Sequence, residues 1–164
     1  MTHAREEIEA VLERYQQFRR DVDDGRAAWA DLGAFFTEDA VFIDPAWGRV
    51  EGLAAITRFF EESMAGLDDW TFPVEFIAIE GDTVVVKWTQ ILPGTRPDGS
   101  QYRQSGVSTM VYAGDGKFCY EEDLLNMAHV FEDMKESGFR PPPGMGMPPK
   151  HPNRDFSRPE RAKR

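Results

Sequence analysis

The sequence predicts an α+β domain whose helices gather on one face of a mainly antiparallel sheet. Three observations predict it. Apolar residues recur at three- and four-residue spacing through most of the stretch from Ala4 to Met64, the pattern of amphipathic helices. From Trp70 onward the period changes to two, the pattern of half-buried strands. Between the strand-like stretches stand Glu80-Gly81-Asp82, Pro93-Gly94 with Pro97-Asp98-Gly99, and Gly114-Asp115-Gly116, each rich in residues that turn the chain. Helices and then a meander, rather than strict alternation of the two, separate this class from α/β.

In chain order, Ala4, Ile8, Val11, Leu12, Tyr15 and Phe18 lay one apolar stripe along a helix of about five turns. A second helix carries Trp29, Leu32, Phe35 and Phe36 on one face, and a short strand, Ala40–Asp44, follows at once. Gly52 opens a third helix that buries Leu53, Ile56, Phe59, Phe60 and Met64. Strands are expected at about 70–79, 83–92, 101–113 and 117–125, then a helix at about 125–136 with Met127, Val130 and Phe131 as its apolar side. Seven of the 11 prolines lie after Arg140, in a segment mixing Pro, Gly, Met and Lys that buries too little to fold by itself. The division is therefore one domain over residues 1–138 and a Pro-rich basic tail over 139–164. The tail is expected to be mobile and without a sheet partner, or strapped across a partner subunit.

A chain of 164 residues suits one domain with a real core. Its longest apolar runs, such as Ala40–Ile43 and Phe76–Ile79, are far below the roughly 20 residues that span a bilayer, so no membrane is expected. Met1–Glu7 lacks the apolar stretch of a secretory signal, and the single cysteine, Cys119, has no internal disulfide partner; both point to a cytoplasmic protein. Residues 139–164 hold seven Lys/Arg against two Asp/Glu, which leaves 12 against 27 for the body. Such a body repels phosphate, so nucleic acid is not an expected partner. His129 and His151 are isolated, Cys119 has no CxxC neighbour, and Gly144-Met145-Gly146-Met147 lacks the strand and helix that a phosphate loop needs. No metal and no cofactor are expected.

The chemistry centres on Glu38–Gly48, which places Asp44 at the end of an apolar strand beside Trp47. One reading makes Asp44 a turn starter before Pro45. The other makes it a carboxylate held in a dry pocket, where burial raises its proton affinity toward neutral pH.

Several stretches resemble the nuclear transport factor 2-like superfamily, in particular its SnoaL-like and ketosteroid isomerase-like members, over about residues 5–126. Glu13-Arg14-Tyr15 is similar to the first-helix segment carrying the isomerase tyrosine, and Glu38–Asp44-Pro45 to the strand carrying its general base. Gly52–Phe60 is similar to the glycine-led third helix, and Met110–Phe118 to the penultimate hairpin. The resemblance implies a curved sheet wrapped on the N-terminal helices into a cone, with a mostly apolar cavity open at one end. It implies Asp44 as the base and Tyr15 as an oxyanion donor. The isomerase's second donor, a protonated acid, aligns with Ser108, a weaker donor, which argues against a simple 3-ketosteroid substrate. Asp123 sits where cyclases and epoxide hydrolases of the superfamily place an aspartate. The hydrolase's other two triad members align with Trp88 and Gln90, so epoxide hydrolysis is disfavoured.

Alternation alone sends Phe118, Tyr120 and Leu124 to the core and leaves Glu121 and Asp123 in solvent; the resemblance puts Asp123 in the pocket. Tyr15 reads equally as a core aromatic. Phe18, Trp47, Phe60, Met64 and Trp88 are the expected apolar lining, and Gln90, Gln104 and Ser108 a polar wall, although both glutamines also suit a sheet edge. Ile91, Val107, Thr109 and Val111 alternate away from the pocket and predict a homodimer through the convex face. The expected function is proton transfer on a small apolar or aromatic carbonyl compound. A non-catalytic binding module for a hydrophobic ligand, or a structural dimer of the same fold, is the alternative.

Overall fold

The structure, a computed structural model, describes residues 2–163. Helix α1 (Arg5–Asp23) begins with Glu6 and Glu7 and ends with Arg20, charges that complement the helix dipole. It buries the expected stripe of Ile8, Val11, Leu12 and Tyr15 and adds Arg19 to it. The expected second helix is a short 3-10 turn, Trp29–Phe35, because Phe36 already belongs to strand β1 (Phe36–Asp44). Gly33 in that turn has Thr57 where a Cβ would sit, so the turn lies flat on the next helix. Strand β2 (Gly48–Glu51) was not expected; four residues are too few to show a period. It folds back on β1 around Pro45, with Asp44 paired to Gly48.

Helix α2 (Leu53–Met64) starts after Gly52, whose φ of 85° only glycine adopts freely. Strand β3 (Val74–Glu80) begins later than expected. Pro73 cannot donate to a ladder, and Trp70 and Phe72 before it turn into the core. Strands β4 (Thr83–Thr95), β5 (Gln101–Gly114) and β6 (Lys117–Leu125) follow, then helix α3 (Met127–Ser137). Asn126 caps α3 by accepting from the His129 amide, and Gly138 ends it in the left-handed region. Val130 is buried as expected and Asp133 is buried with it, whereas Phe131, also expected on the apolar side, is 57% exposed.

The six strands form one open sheet in the order β2-β1-β6-β5-β4-β3, antiparallel except where β1 meets β6. The fold is α+β, with the helices packed on the sheet. One irregularity decides the site. Tyr112 pairs with Phe118 while its neighbour Val111 pairs with Tyr120, so Cys119 is an extra residue in β6. The bulge reverses the alternation. Phe118 packs in the main core, Tyr120 moves to a second cluster with Val41, Ile43, Val111 and Cys119, and Glu121 takes the inner face that simple alternation reserves for Tyr120.

Residues 139–163 lie against the domain. Phe139 meets Trp70 edge-on at 5.2 Å, and the Gly146 amide donates to the Glu62 carbonyl at 2.9 Å. The backbone does find a sheet partner: Asn153 bridges to Gly48 in parallel, its carbonyl accepting from the Arg49 amide at 2.9 Å. Beyond it Arg154 donates to the Pro45 carbonyl, Arg49 donates to the Ser157 carbonyl, and Arg158 stacks over Tyr120. Ala162, in a final 3-10 turn (Glu160–Lys163), is buried with Val111, so this convex residue is covered by its own chain rather than by a partner. Among the described residues no helix is long and apolar enough to cross a membrane.

Candidate functional site

A cavity of about 210 Å³ lies between the inner face of the sheet, α1, α2, α3 and residues 141–148. It is somewhat larger than the ~150 Å³ cavity that holds one benzene, so it suits a compact cyclic ligand. Most of its wall is apolar, with Phe42, Phe60, Met64, Trp70, Phe72 and Leu125 prominent.

Its polar side chains stand mainly on β1, β4, β5, β6 and α1. Asp44, at the end of β1, accepts at Oδ1 from the Ala46 and Trp47 amides, both at 2.7 Å. It is therefore both of the things the sequence allowed, a turn anchor and a wall of the pocket. Burial pushes its carboxyl up, and the two amides pull it back only in part. On β6, Glu121 and Asp123 both face the cavity, and their carboxyl groups interact directly. Burial, with the neighbouring Asp123 second, holds Glu121 well above the usual carboxylate range. Asp123 is pushed up to about 7, chiefly by burial, against the pull of a 2.5 Å hydrogen bond from Ser108 Oγ. Ser108 in turn accepts from Trp88 Nε1 at 3.0 Å. Two adjacent acids in a dry wall cannot both ionise cheaply, so the pair retains a proton near neutrality.

From α1, Tyr15 reaches the cavity with its hydroxyl accepting from Arg19 Nη1 at 3.0 Å, and burial raises its proton affinity. Arg19, only 7% exposed, donates its Nη2 to the Phe72 carbonyl and lies over the Trp29 ring at 5.2 Å. Its Nε, like Glu121 Oε2, has no hydrogen-bond partner among the described residues.

Of the residues expected from the sequence, Tyr15, Asp44, Trp47, Phe60, Met64, Trp88, Gln90, Ser108 and Asp123 all line the cavity. Two do not. Phe18 packs on Phe35 behind the wall, because Arg19, one turn after Tyr15, takes the cavity-facing place on α1 and leaves Phe18 to its side. Gln104 is buried on β5 directly opposite Gln90, where it accepts from Gln90 Nε2 at 2.8 Å. Arg19 and Glu121 were missed. The signal for Arg19 was its place four residues after Tyr15 on the same helix face; for Glu121, expected in solvent or at an interface, only the bulge at Cys119 explains burial. Among the described residues no group of three or more His, Cys, Asp and Glu is arranged to hold a metal ion.

The profile of the SnoaL-like domain matches residues 16–121 of this chain. A solved structure from Jannaschia sp. CCS1, assigned as a SnoaL-like polyketide cyclase, is similar at TM-score 0.62 and 19% identity, over 86% of this chain and 99% of that one. TerC, crystallised with polyporic acid, is similar at TM-score 0.57 and 23% identity, over 79% and 98%. SalBIII, an epoxide hydrolase/cyclase-like enzyme of pyran ring formation in the polyether salinomycin, is similar at TM-score 0.57 and 19% identity, over 74% and 94%. No curated protein matches the chain.

Proposed function

The chain belongs to the SnoaL-like domain family, and from that premise we propose that it binds a compact apolar or aromatic carbonyl compound in the cavity and moves a proton on it, as an isomerase or cyclase does. The observation that carries this reading is the convergence of three carboxyl groups of unequal proton affinity, Asp44, Glu121 and Asp123, on one largely apolar cavity. Where environments push proton affinities apart, they divide the groups into acid and base.

Asp44, whose Oδ1 accepts from two amides that oppose the effect of burial, serves as base. It takes a proton from the carbon next to the ligand carbonyl. The Glu121–Asp123 pair, which keeps a proton near neutrality, and the Tyr15 hydroxyl, polarised by Arg19, donate to the oxygen where negative charge develops. Return of the proton from Asp44 to a second carbon completes an isomerisation. Attack of the enolate carbon on a second carbonyl of the same molecule, whose oxygen takes the proton that the pair had only hydrogen-bonded to the first, completes a ring closure, and the proton left on Asp44 returns through solvent to the pair. The residues described supply every proton either route needs, so no cofactor enters. TerC's polyporic acid and SalBIII's pyran ring formation support a small organic molecule as the ligand.

The proposal extends to a cytoplasmic homodimer. Its contact is the part of the convex face that the tail leaves open, where Leu124 is 56% exposed beside its partner Val107. A monomer mass by light scattering at micromolar concentration would remove the dimer. The test of chemistry is exchange of the C2 protons of 1-tetralone in heavy water, followed by proton NMR. The protein is expected to accelerate exchange, and Asp44→Asn to lower that rate by at least about 10², the low end for loss of a general base. Binding of 1-tetralone with no exchange by either protein would make the cavity a carrier site instead.

A further inference from the structure

The inner wall of β4 holds a hydrogen-bonded chain that the proton chemistry does not use. Gln90 Nε2 donates to Gln104 Oε1 at 2.8 Å, Gln104 Nε2 donates to Asp133 Oδ2 at 2.5 Å, and Arg96 Nη2 donates to Asp133 Oδ1 at 2.5 Å. Arg96 is itself fixed over the Tyr102 ring at 4.5 Å and donates to the Gln101 carbonyl. The order of donors and acceptors has only one solution. Asp133, ion-paired with Arg96, is acceptor-only, so Gln104 must turn its NH₂ toward it and its oxygen toward Gln90. Gln90 must then spend its NH₂ on Gln104. Its Oε1 is left with no donor among the described residues, and Gln90 is part of the cavity wall.

We propose that Gln90 Oε1 is a specificity-determining acceptor for a hydroxyl on the ligand, so that the substrate is a hydroxylated aromatic ketone rather than a plain hydrocarbon ketone. The inference rests on the reading of the cavity as an aromatic-ketone site. Register supplies the geometry. Asp123 pairs with Ser108 and Ser108 with Val86, so Gln90 stands two strands and four residues away from Asp123, on the order of 15 Å on a flat sheet and less across a concave one. Gln90 therefore marks the end of the cavity remote from the carboxyl pair. The ligand's carbonyl meets the acids, and its hydroxyl meets Gln90 across the ring system. A buried acceptor that goes unpaired with the wrong ligand discriminates far better than an apolar wall does.

The test compares 1-tetralone with 6-hydroxy-1-tetralone, which carries its hydroxyl on the far side of the ring from the carbonyl, by calorimetric titration of the full chain. The expected result is about tenfold tighter binding of the hydroxylated probe, the value of one well-made hydrogen bond, and loss of that preference in Gln90→Leu, read as the ratio of the two affinities. Asp133→Asn gives a second, sharper reading that survives if Gln90→Leu does not fold. Its new amide, with Arg96 still on the oxygen, presents NH₂ to Gln104, which reverses, and Gln90 follows with NH₂ facing the cavity. The preference should then shift toward 6-methoxy-1-tetralone, an acceptor without a donor. Equal binding of the first two probes by the unmodified protein overturns this inference alone, as does a preference that both variants leave unchanged. Binding of neither probe overturns the aromatic-ketone reading with it.

Discussion

At the scale of single residues, Asp44 and Asp123 are separable by what holds them. Asp44 is tied to its own turn by two amides, whereas Asp123 answers to Ser108 and to a second acid. In exchange of 1-tetralone, Asp44→Asn is expected to cost clearly more rate than Asp123→Asn; the reverse order, read by NMR, makes the β6 pair the base. Asp123 also predicts a pH effect on stability. Its proton affinity rises from the ordinary 3.8 in the unfolded chain to about 7 in the fold. Between those values the folded protein holds a proton that the unfolded chain has released, so stability is full below the window and falls as pH rises through it. Asp123→Asn removes that loss. Thermal melts should show the variant more stable than the parent at pH 8 by a few degrees and nearly equal to it at pH 4; a parallel pair of curves would refute the assignment.

At the scale of elements, β5 and β6 set the inner face. Gly106 on β5 lies under the Trp88 ring, where an added Cβ would come within 2.5 Å of two ring carbons. No shift of a flexible side-chain end relieves such a contact, because the ring is already held to Ser108. Gly106→Ala is therefore expected to cost about 1–3 kcal/mol, the range for overpacking a filled core, and to disturb the Trp88 fluorescence. An unchanged melting midpoint with unchanged fluorescence would show that the ring has room to move. The bulge at Cys119 works at the same scale, since one extra residue moves two carboxylates from solvent to cavity while the rest of β6 stays in place.

At the scale of the whole molecule, the tail binds the structure to itself. It contributes Met145, Met147, Pro141 and Pro148 to the cavity and clamps the Asp44 turn through Arg154 to Pro45 and Asn153 to Gly48. It also covers Val111 with Ala162. Removal of residues 141–164 exposes these surfaces together. We expect a loss of about 2 kcal/mol or more, a fall in melting midpoint of about 4–8 °C for a chain of this size, and weaker binding of 1-tetralone. An unchanged midpoint would mean that the tail leaves the domain freely in solution, the mobility its composition suggested.

The sequence by itself determined the α+β class, the three helices and most strand positions, because periods of 3.6 and two and glycine turns act locally. It also marked Asp44, Tyr15 and Ser108, whose places in their elements follow from the same periods. It could not show β2, too short to carry a period, or Glu121, whose side of the sheet depends on a bulge set by the pairing of β5 with β6. Arg19 lay one turn beyond Tyr15 in plain view, yet only the packing of Trp29 and Phe72 around it makes a charged side chain part of the core. The tail is the plainest case. Its composition carries no buried stripe, and its contacts with Glu62, Trp70, Pro45, Gly48 and Tyr120 are made with surfaces that exist only once the domain has folded.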